Sequence, residues 1–269
     1  MARTLISAVL TAVILLVSTV WLSSSAMAGP GCPDVSIVTV PGSHQGAANG
    51  DSYGGGVEVD SVIGRVRKTI TSKRPNISYS IHPTDYPAKL DIHYFESKNE
   101  GYNTTYEWLQ NFRDCKNTKV IIAGFSQGAH IVGDLLNTIA RTNSPIPQDK
   151  LLGGVLIADP GFNAGSPGAT RIGFGFGEGV AGARPPFPSS MPVKSVCLRG
   201  DLVCDSYIQR LALAPPPARA TVIGLQVFAE LRNKDHESRY LYTDWPGTKS
   251  TISEYLGGWL SERVLATTK

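Results

Sequence analysis

The sequence predicts a three-layer α/β fold, a central parallel sheet flanked by helices. Short β-branched or apolar runs alternate with stretches of helical period along the chain, the order that stacks helices on both faces of a parallel sheet. Several runs, 119–123 and 151–158 among them, are almost continuously apolar, as strands covered on both faces are. The chain has 269 residues, 42% hydrophobic and 17% charged, enough for one sizeable core. Its 28 glycines and 18 prolines stay below the share, roughly 25–30%, that marks low-complexity chains.

The elements follow in order. Residues 35–40, VSIVTV, read as a strand, ended by Pro41-Gly42-Ser43. A Gly-, Ser- and Asn-rich loop fills 41–56. Val59, Val62, Ile63, Val66 and Ile70 then fall at helical spacing within 57–70. Residues 77–81 alternate as a second strand, and 83–87 form a proline-bounded connection. Tyr102, Tyr106, Leu109 and Phe112 predict a helix over 100–113. A strand over 119–123 leads into a helix over 127–140, with Ala129, Val132, Leu135, Leu136 and Ile139 on one stripe. Strands are expected at 151–158 and 193–198, and a closing helix at 251–265. Two segments break the alternation: a Gly-rich run with interleaved Phe over 160–192, and 206–235, which contains Pro215-Pro216-Pro217. Neither reads as a linker, so a single domain is expected over 29–269.

Residues 1–28 carry Arg3, an apolar run from Leu5 to Leu22 and the small-x-small exit Ala26-Met27-Ala28, the pattern of a secretory signal peptide; an uncleaved anchor is the alternative. Export permits disulfides. Cys197 and Cys204 are close in sequence, so a local bridge is expected, leaving Cys32 to pair with Cys115. The short ring would contribute about 2.5 kcal/mol and the long one about 4.6 kcal/mol on the chain-entropy model.

The formal charge is +3, with no Lys/Arg run longer than two. Nucleic-acid binding through a dense basic stripe is thereby excluded. No C-x-x-C pair occurs, so zinc-ribbon and ferredoxin readings have no ligands, and no metal or organic cofactor is expected. Sequons stand at Asn76 and Asn103.

The chemistry is concentrated at Gly124-Phe125-Ser126-Gln127-Gly128, a G-x-S-x-G between a strand and a helix. That is the context of the α/β-hydrolase nucleophile elbow. The glycines on either side remove Cβ atoms that would strike the neighbouring strand and helix, and the helix N-terminus points free N–H groups at the reacting centre. A serine needs a base, and the order in this fold is serine, acid, histidine. His236 is the histidine that follows at a useful distance. His130 lies four residues along the same helix and reads as a packed or surface residue, as do His82, His93 and His44 before the nucleophile; His44 stands beside the expected oxyanion loop. The acid is Asp159, Asp201 or Asp205. Asp201 is preferred, because a small disulfide ring around Cys197-Leu198-Arg199-Gly200-Asp201-Leu202-Val203-Cys204 would hold a carboxylate that fixes an imidazole tautomer.

Gly-Phe-Ser-Gln-Gly-Ala at 124–129, followed by Cys-x-x-Gly-Asp-Leu-Val-Cys around Asp201, resembles the cutinase family of serine esterases. Cys32-Pro33-Asp34-Val35 resembles the start of exported actinobacterial cutinase-like proteins. The resemblance implies a small α/β-hydrolase without a large lid and the cysteine pairing already given. It implies Ser126 as nucleophile, Asp201 as orienting acid and His236 as base. It places the oxyanion hole at the amide of Gln127 and at Ser43, whose N–H and hydroxyl are both available donors. The family's Arg-Gly-Ser/Thr-x-Glu loop reads Pro41-Gly42-Ser43-His44-Gln45 here, without the flanking charges. Val40-Pro41-Gly42 and the 35-residue gap from Asp201 to His236 resemble the branch of mycolate-making bacteria with phospholipase or thioesterase activity.

The expected function is hydrolysis of acyl or lipid esters through an acyl-enzyme, by a monomer that is secreted or held in the cell envelope, in contact with envelope lipid. The segments 160–192 and 208–230 would supply acyl-binding walls or ordinary packing. The alternatives are an acyltransferase that shares the acyl-enzyme and a non-catalytic lipid-binding envelope protein.

Overall fold

A computed structural model describes residues 31–45, 53–141, 143–175, 177–206 and 235–267; these belong, Gly31 apart, to one compact unit, Cys32–Lys269. The expected leader over 1–28, Phe176, and the apolar stretch 208–230 lie outside the described residues.

Six parallel strands form the sheet: β1 (Val35–Val40), β2 (Tyr79–Pro83), β3 (Lys119–Phe125), β4 (Leu151–Ile157), β5 (Ala169–Ile172) and β6 (Val193–Leu198). Their order is β2-β1-β3-β4-β6-β5, with every pairing parallel. Among the described residues five α-helices accompany it: α1 (Gly56–Lys73), α2 (Tyr94–Gln110), α3 (Gln127–Ile139), α4 (Asp235–Tyr242) and α5 (Ile252–Thr267).

The period of two along the strands sorts the core into two layers. Val35, Ile37, Ile121, Ala123 and Phe125 face one side, where Val59, Ile63 and Val66 of α1 and Leu256 and Leu260 of α5 close over them. Val38, Val40, Val120 and Ile122 face the other, against Leu109 of α2 and Ile131, Leu135 and Leu136 of α3. The central strands β1, β3 and β4 are buried nearly end to end, whereas the edge strand β2 is half-buried. That contrast explains the continuous apolar runs of the first group and the alternation of the second.

Three elements differ from the sequence reading, and one of them, α4 over Asp235–Tyr242, has no counterpart in it. α2 begins at Tyr94, six residues before the helix expected over 100–113. Its inner face there is built from Ser97, Gly101 and Thr105, small residues that let it approach α3 without an apolar stripe. The 160–192 segment contains β5, a four-residue edge strand registered Ala169 to Ser195 and Ile172 to Leu198. Phe162 and Phe187 of that segment are core residues, so packing accounts for them, while Phe174 is exposed.

Two disulfides join Cys32 to Cys115 and Cys197 to Cys204. The first ties the chain before β1 to the turn before β3. The second ties β6 to the loop that carries Asp201. Among the described residues no helix is long and apolar enough to cross a membrane.

Candidate active site

The site lies at the carboxyl ends of β1, β3 and β6, where ligands of open parallel sheets bind. Ser126 joins β3 to α3 at φ 52°, ψ −118°. A non-glycine residue in that region stores roughly 1–3 kcal/mol of strain, and the surroundings show how it is held. The Ser126 N–H donates to Ile157 O of β4 (2.9 Å), and its carbonyl accepts from His130 N of α3 (3.0 Å). A Cβ on Gly124 would stand 2.4 Å from Gly128 O, and one on Gly128 would stand 2.1 Å from Val40 O. Both glycines are therefore required by close backbone approach: β3 against α3, and α3 against the end of β1.

The β1 end runs into Pro41-Gly42-Ser43-His44-Gln45. Gln45 stands where the related pattern carries Glu. Gln45 Oε1 accepts from Gly42 N (3.1 Å), and Gln45 Nε2 donates to Glu58 Oε2 of α1 (2.9 Å). Tyr86 Oη donates to Pro41 O (2.7 Å). Ser43 Oγ donates to Gln127 Oε1 (3.2 Å), and Gln127 Nε2 donates to Lys89 O (3.0 Å) and Tyr94 O (3.1 Å). The Ser43 hydroxyl proton is thus directed at Gln127. Among the described residues neither the Ser43 nor the Gln127 N–H is used in a hydrogen bond, and Gln127 follows Ser126 directly in the chain.

His236 opens α4 and is 2% exposed. Its Nδ1 lies 3.0 Å from Asp201 Oδ1, and its ring lies 5.0 Å, centroid to centroid, from Phe125, the residue before Ser126. Asp201 Oδ1 also accepts from Val203 N (3.0 Å). Asp159 and Asp205 are buried but committed elsewhere. Asp159 receives Arg184 Nε (2.8 Å) and Nη2 (2.7 Å) and the Gly161 N–H (2.8 Å). Asp205 accepts from Gly177 N (2.8 Å) and Gly200 N (3.1 Å) and faces Arg171 (3.5 Å). Of the three acids considered, Asp201 is the one that meets the histidine.

The remaining histidines have their own settings. His130 is buried, its Nδ1 3.0 Å from Tyr94 Oη, and burial lowers its pKa to about 4. His82 packs on Trp108 and Phe112, His93 pairs with Glu96 at the surface, and His44 is exposed at φ 62°.

Two features were not read from the sequence. Tyr240 Oη donates to Asp201 Oδ2 at 2.6 Å. Arg184 bridges Asp159 after β4 to Asp134 of α3 (Nη1 to Oδ1, 2.8 Å), which also takes Lys98 Nζ (2.6 Å). Burial alone would lower the Arg184 pKa, but Asp159 and Asp134 outweigh it and hold the guanidinium charged. This largely buried ion cluster fastens α3 to the loop after β4. A histidine and tyrosine four apart, His236 and Tyr240, were the available signal for the first, because that spacing shares a helix face.

A model of the cutinase family matches residues 31–212. The chain belongs to the cutinase family. The match takes in Ser43, Ser126, Gln127 and Asp201 and stops short of His236. This cutinase-family chain is 28% identical over 214 residues to the carboxylesterase Culp6 homolog of Corynebacterium glutamicum, covering 66% of this chain and 67% of that protein. It is 29% identical over 136 residues to carboxylesterase Culp1 of Mycobacterium tuberculosis, covering 49% of this chain and 55% of the relative. Among solved structures, an acetyl xylan esterase superposes with a TM-score of 0.52 at 19% identity, over 76% of this chain and 99% of the other. The catalytic core of the Trichoderma reesei acetyl xylan esterase superposes with 0.51 at 21% identity, over 75% and 98%. At such identities the superpositions show the shared α/β-hydrolase fold.

Proposed function

We propose that this carboxylic ester hydrolase works by acyl transfer to water through Ser126, His236 and Asp201. In this mechanism His236 takes the Ser126 proton at Nε2 as Oγ attacks the ester carbonyl. Asp201 accepts from Nδ1, keeping the tautomer that leaves Nε2 able to receive a proton and stabilising the imidazolium that follows. The Ser43 and Gln127 N–H groups bind the developing oxyanion, each worth roughly 10²–10³ in rate if aligned. The imidazolium then protonates the leaving alcohol. His236 next removes a proton from water, which attacks the acyl-enzyme; the imidazolium returns that proton to Ser126 Oγ as the acyl–oxygen bond breaks, and the carboxylic acid leaves.

The observation that carries the reading is the buried 3.0 Å contact of His236 with Asp201 against the residue preceding a strained, glycine-flanked Ser126. The substrate class is an apolar acyl ester. Its support is the turn whose Lys89 and Tyr94 carbonyls hold Gln127: it exposes Ile92 at 93% and Phe95 at 61%, a place where an acyl chain would be drawn out of water. The two disulfides support export to an oxidising compartment, consistent with a leader over 1–28.

The test is a p-nitrophenyl ester series of increasing acyl length, with products analysed after adding alcohol acceptors. Turnover to free acid is expected along the series, with KM falling as the acyl chain lengthens. A folded protein that turns over none of them would favour a lipid-binding role, and acyl product on the acceptor in place of free acid would favour an acyltransferase.

A further inference from the structure

The side chain of Asp201 has two oxygens, and the proposed mechanism uses one. The other is taken by Tyr240. We propose that Tyr240 is a positioning residue for the catalytic acid, one that sets both the direction of the Asp201 carboxylate and the basicity of His236. This rests on the reading of Ser126, His236 and Asp201 given above.

The direction of the hydrogen bonds is fixed by chemistry. Leu198 N donates to Tyr240 Oη at 3.0 Å, so the phenol oxygen is an acceptor there. Cys204 Sγ lies 3.3 Å away but is bonded to Cys197 and has no proton to give. The single phenol proton therefore goes to Asp201 Oδ2, at 2.6 Å, a charge-assisted contact. Burial, and then the neighbouring Asp201 carboxylate, push the Tyr240 pKa well above its ordinary value, so it remains a donor through the working pH range.

The ring is as constrained as the hydroxyl. Tyr240 is 1% exposed and meets Phe125 edge-on at 6.1 Å and His236 edge-on at 6.5 Å. One face of α4 thus presents the base and the holder of the acid one turn apart, both against the residue preceding the nucleophile. With His236 and Val203 N on Oδ1 and Tyr240 on Oδ2, the carboxylate has donors on both sides and cannot rotate without breaking one.

The electronic consequence has a sign. A donor to Asp201 draws charge away from the oxygen facing His236, so the imidazolium is stabilised less and the His236 pKa is held lower. Without that donor the pKa rises, and the base becomes protonated at a higher pH. Charged groups also stand on the elements packed around α4, each with its own partner. Arg239 on α4 donates to Arg199 O, Glu58 on α1 accepts from Gln45, Glu254 on α5 pairs with Arg65, and Asp205 beside Asp201 faces Arg171. None of these contacts is removed by deleting the phenol oxygen.

Tyr240→Phe keeps the ring and removes the donor. It is expected to lower kcat roughly 10- to 100-fold, the cost of a misplaced catalytic group. It should also raise the acidic limb of the kcat/KM profile by about one pH unit. Incorporating 3-fluorotyrosine at 240, a stronger donor of nearly the same shape, should move the limb the other way, and it keeps the test open if Tyr240→Phe folds poorly. A limb that stays in place in both folded proteins would overturn the inference. His236→Gln run in parallel separates the two claims. If it leaves kcat/KM intact, the reading of the site fails; if it inactivates while the limb never moves at position 240, the role of Tyr240 alone fails.

Discussion

Ser126→Ala is expected to lower kcat by roughly 10⁶, the loss seen when a serine nucleophile is removed from a triad that acts as a unit. The fold should be indifferent to the change. The elbow is held by the backbone of Ser126, through Ile157 O and His130 N, and by the close approaches at Gly124 and Gly128; the hydroxyl takes no part in those contacts. Alanine meets the same steric cost at φ 52° as serine does. The variant should therefore unfold with the wild-type profile, and residual turnover should reflect binding and the two oxyanion amides alone. Turnover on a short p-nitrophenyl ester, measured beside a thermal unfolding curve, checks both halves.

Asp201→Asn is expected to lower kcat by less than Ser126→Ala or His236→Gln, and the geometry predicts how the loss arises. An asparagine placing its NH₂ towards His236 would set a donor against the Val203 N–H, which points at Oδ1 from 3.0 Å. The amide oxygen is therefore expected to stay at that position, with NH₂ towards Tyr240, whose hydroxyl can turn its proton away as the backbone N–H of Val203 cannot. The imidazole then keeps its tautomer and loses only the negative charge that stabilises its protonated form. Removing one partner of a buried ionic pair costs roughly 3–5 kcal/mol, or about 10²–10⁴ in kcat. His236 should titrate at lower pH in this variant, so the acidic limb moves down, opposite to the shift expected for Tyr240→Phe. A limb that moves up would show that the carboxylate does not act on His236. Steady-state pH profiles of kcat and kcat/KM read both quantities.

The sequence was most informative where one residue's role is imposed by its chain neighbours. Gly124 and Gly128 flank Ser126 within a strand–helix junction, and the steric need for both can be reasoned from the pentapeptide before any tertiary contact is known. Asp201 stood out for a similar reason, since the Cys197–Cys204 ring encloses it. Contacts between distant positions were less legible. Arg184 meets Asp159 and Asp134 across 25 and 50 residues, and nothing in the spacing of three charges foretells a buried cluster. Tyr240 was hidden because α4 follows a segment without helical period, so the four-residue step from His236 had no helix to give it meaning. β5 was missed because four residues on a sheet edge, inside a glycine-rich run, bury too little to carry a pattern. The inner face of α2 escaped because Ser97, Gly101 and Thr105 achieve close packing by being small.

Covalent trapping tests the identity of the nucleophile directly. The protein is treated with a p-nitrophenyl alkylphosphonate, whose tetrahedral phosphorus resembles the acyl-transfer transition state and remains bound after the leaving group departs. Peptide mass spectrometry then locates the adduct. One phosphonyl group per chain is expected, on Ser126, appearing in step with loss of esterase activity. An adduct on another residue at full inactivation, or undiminished turnover by protein labelled at Ser126, would contradict it.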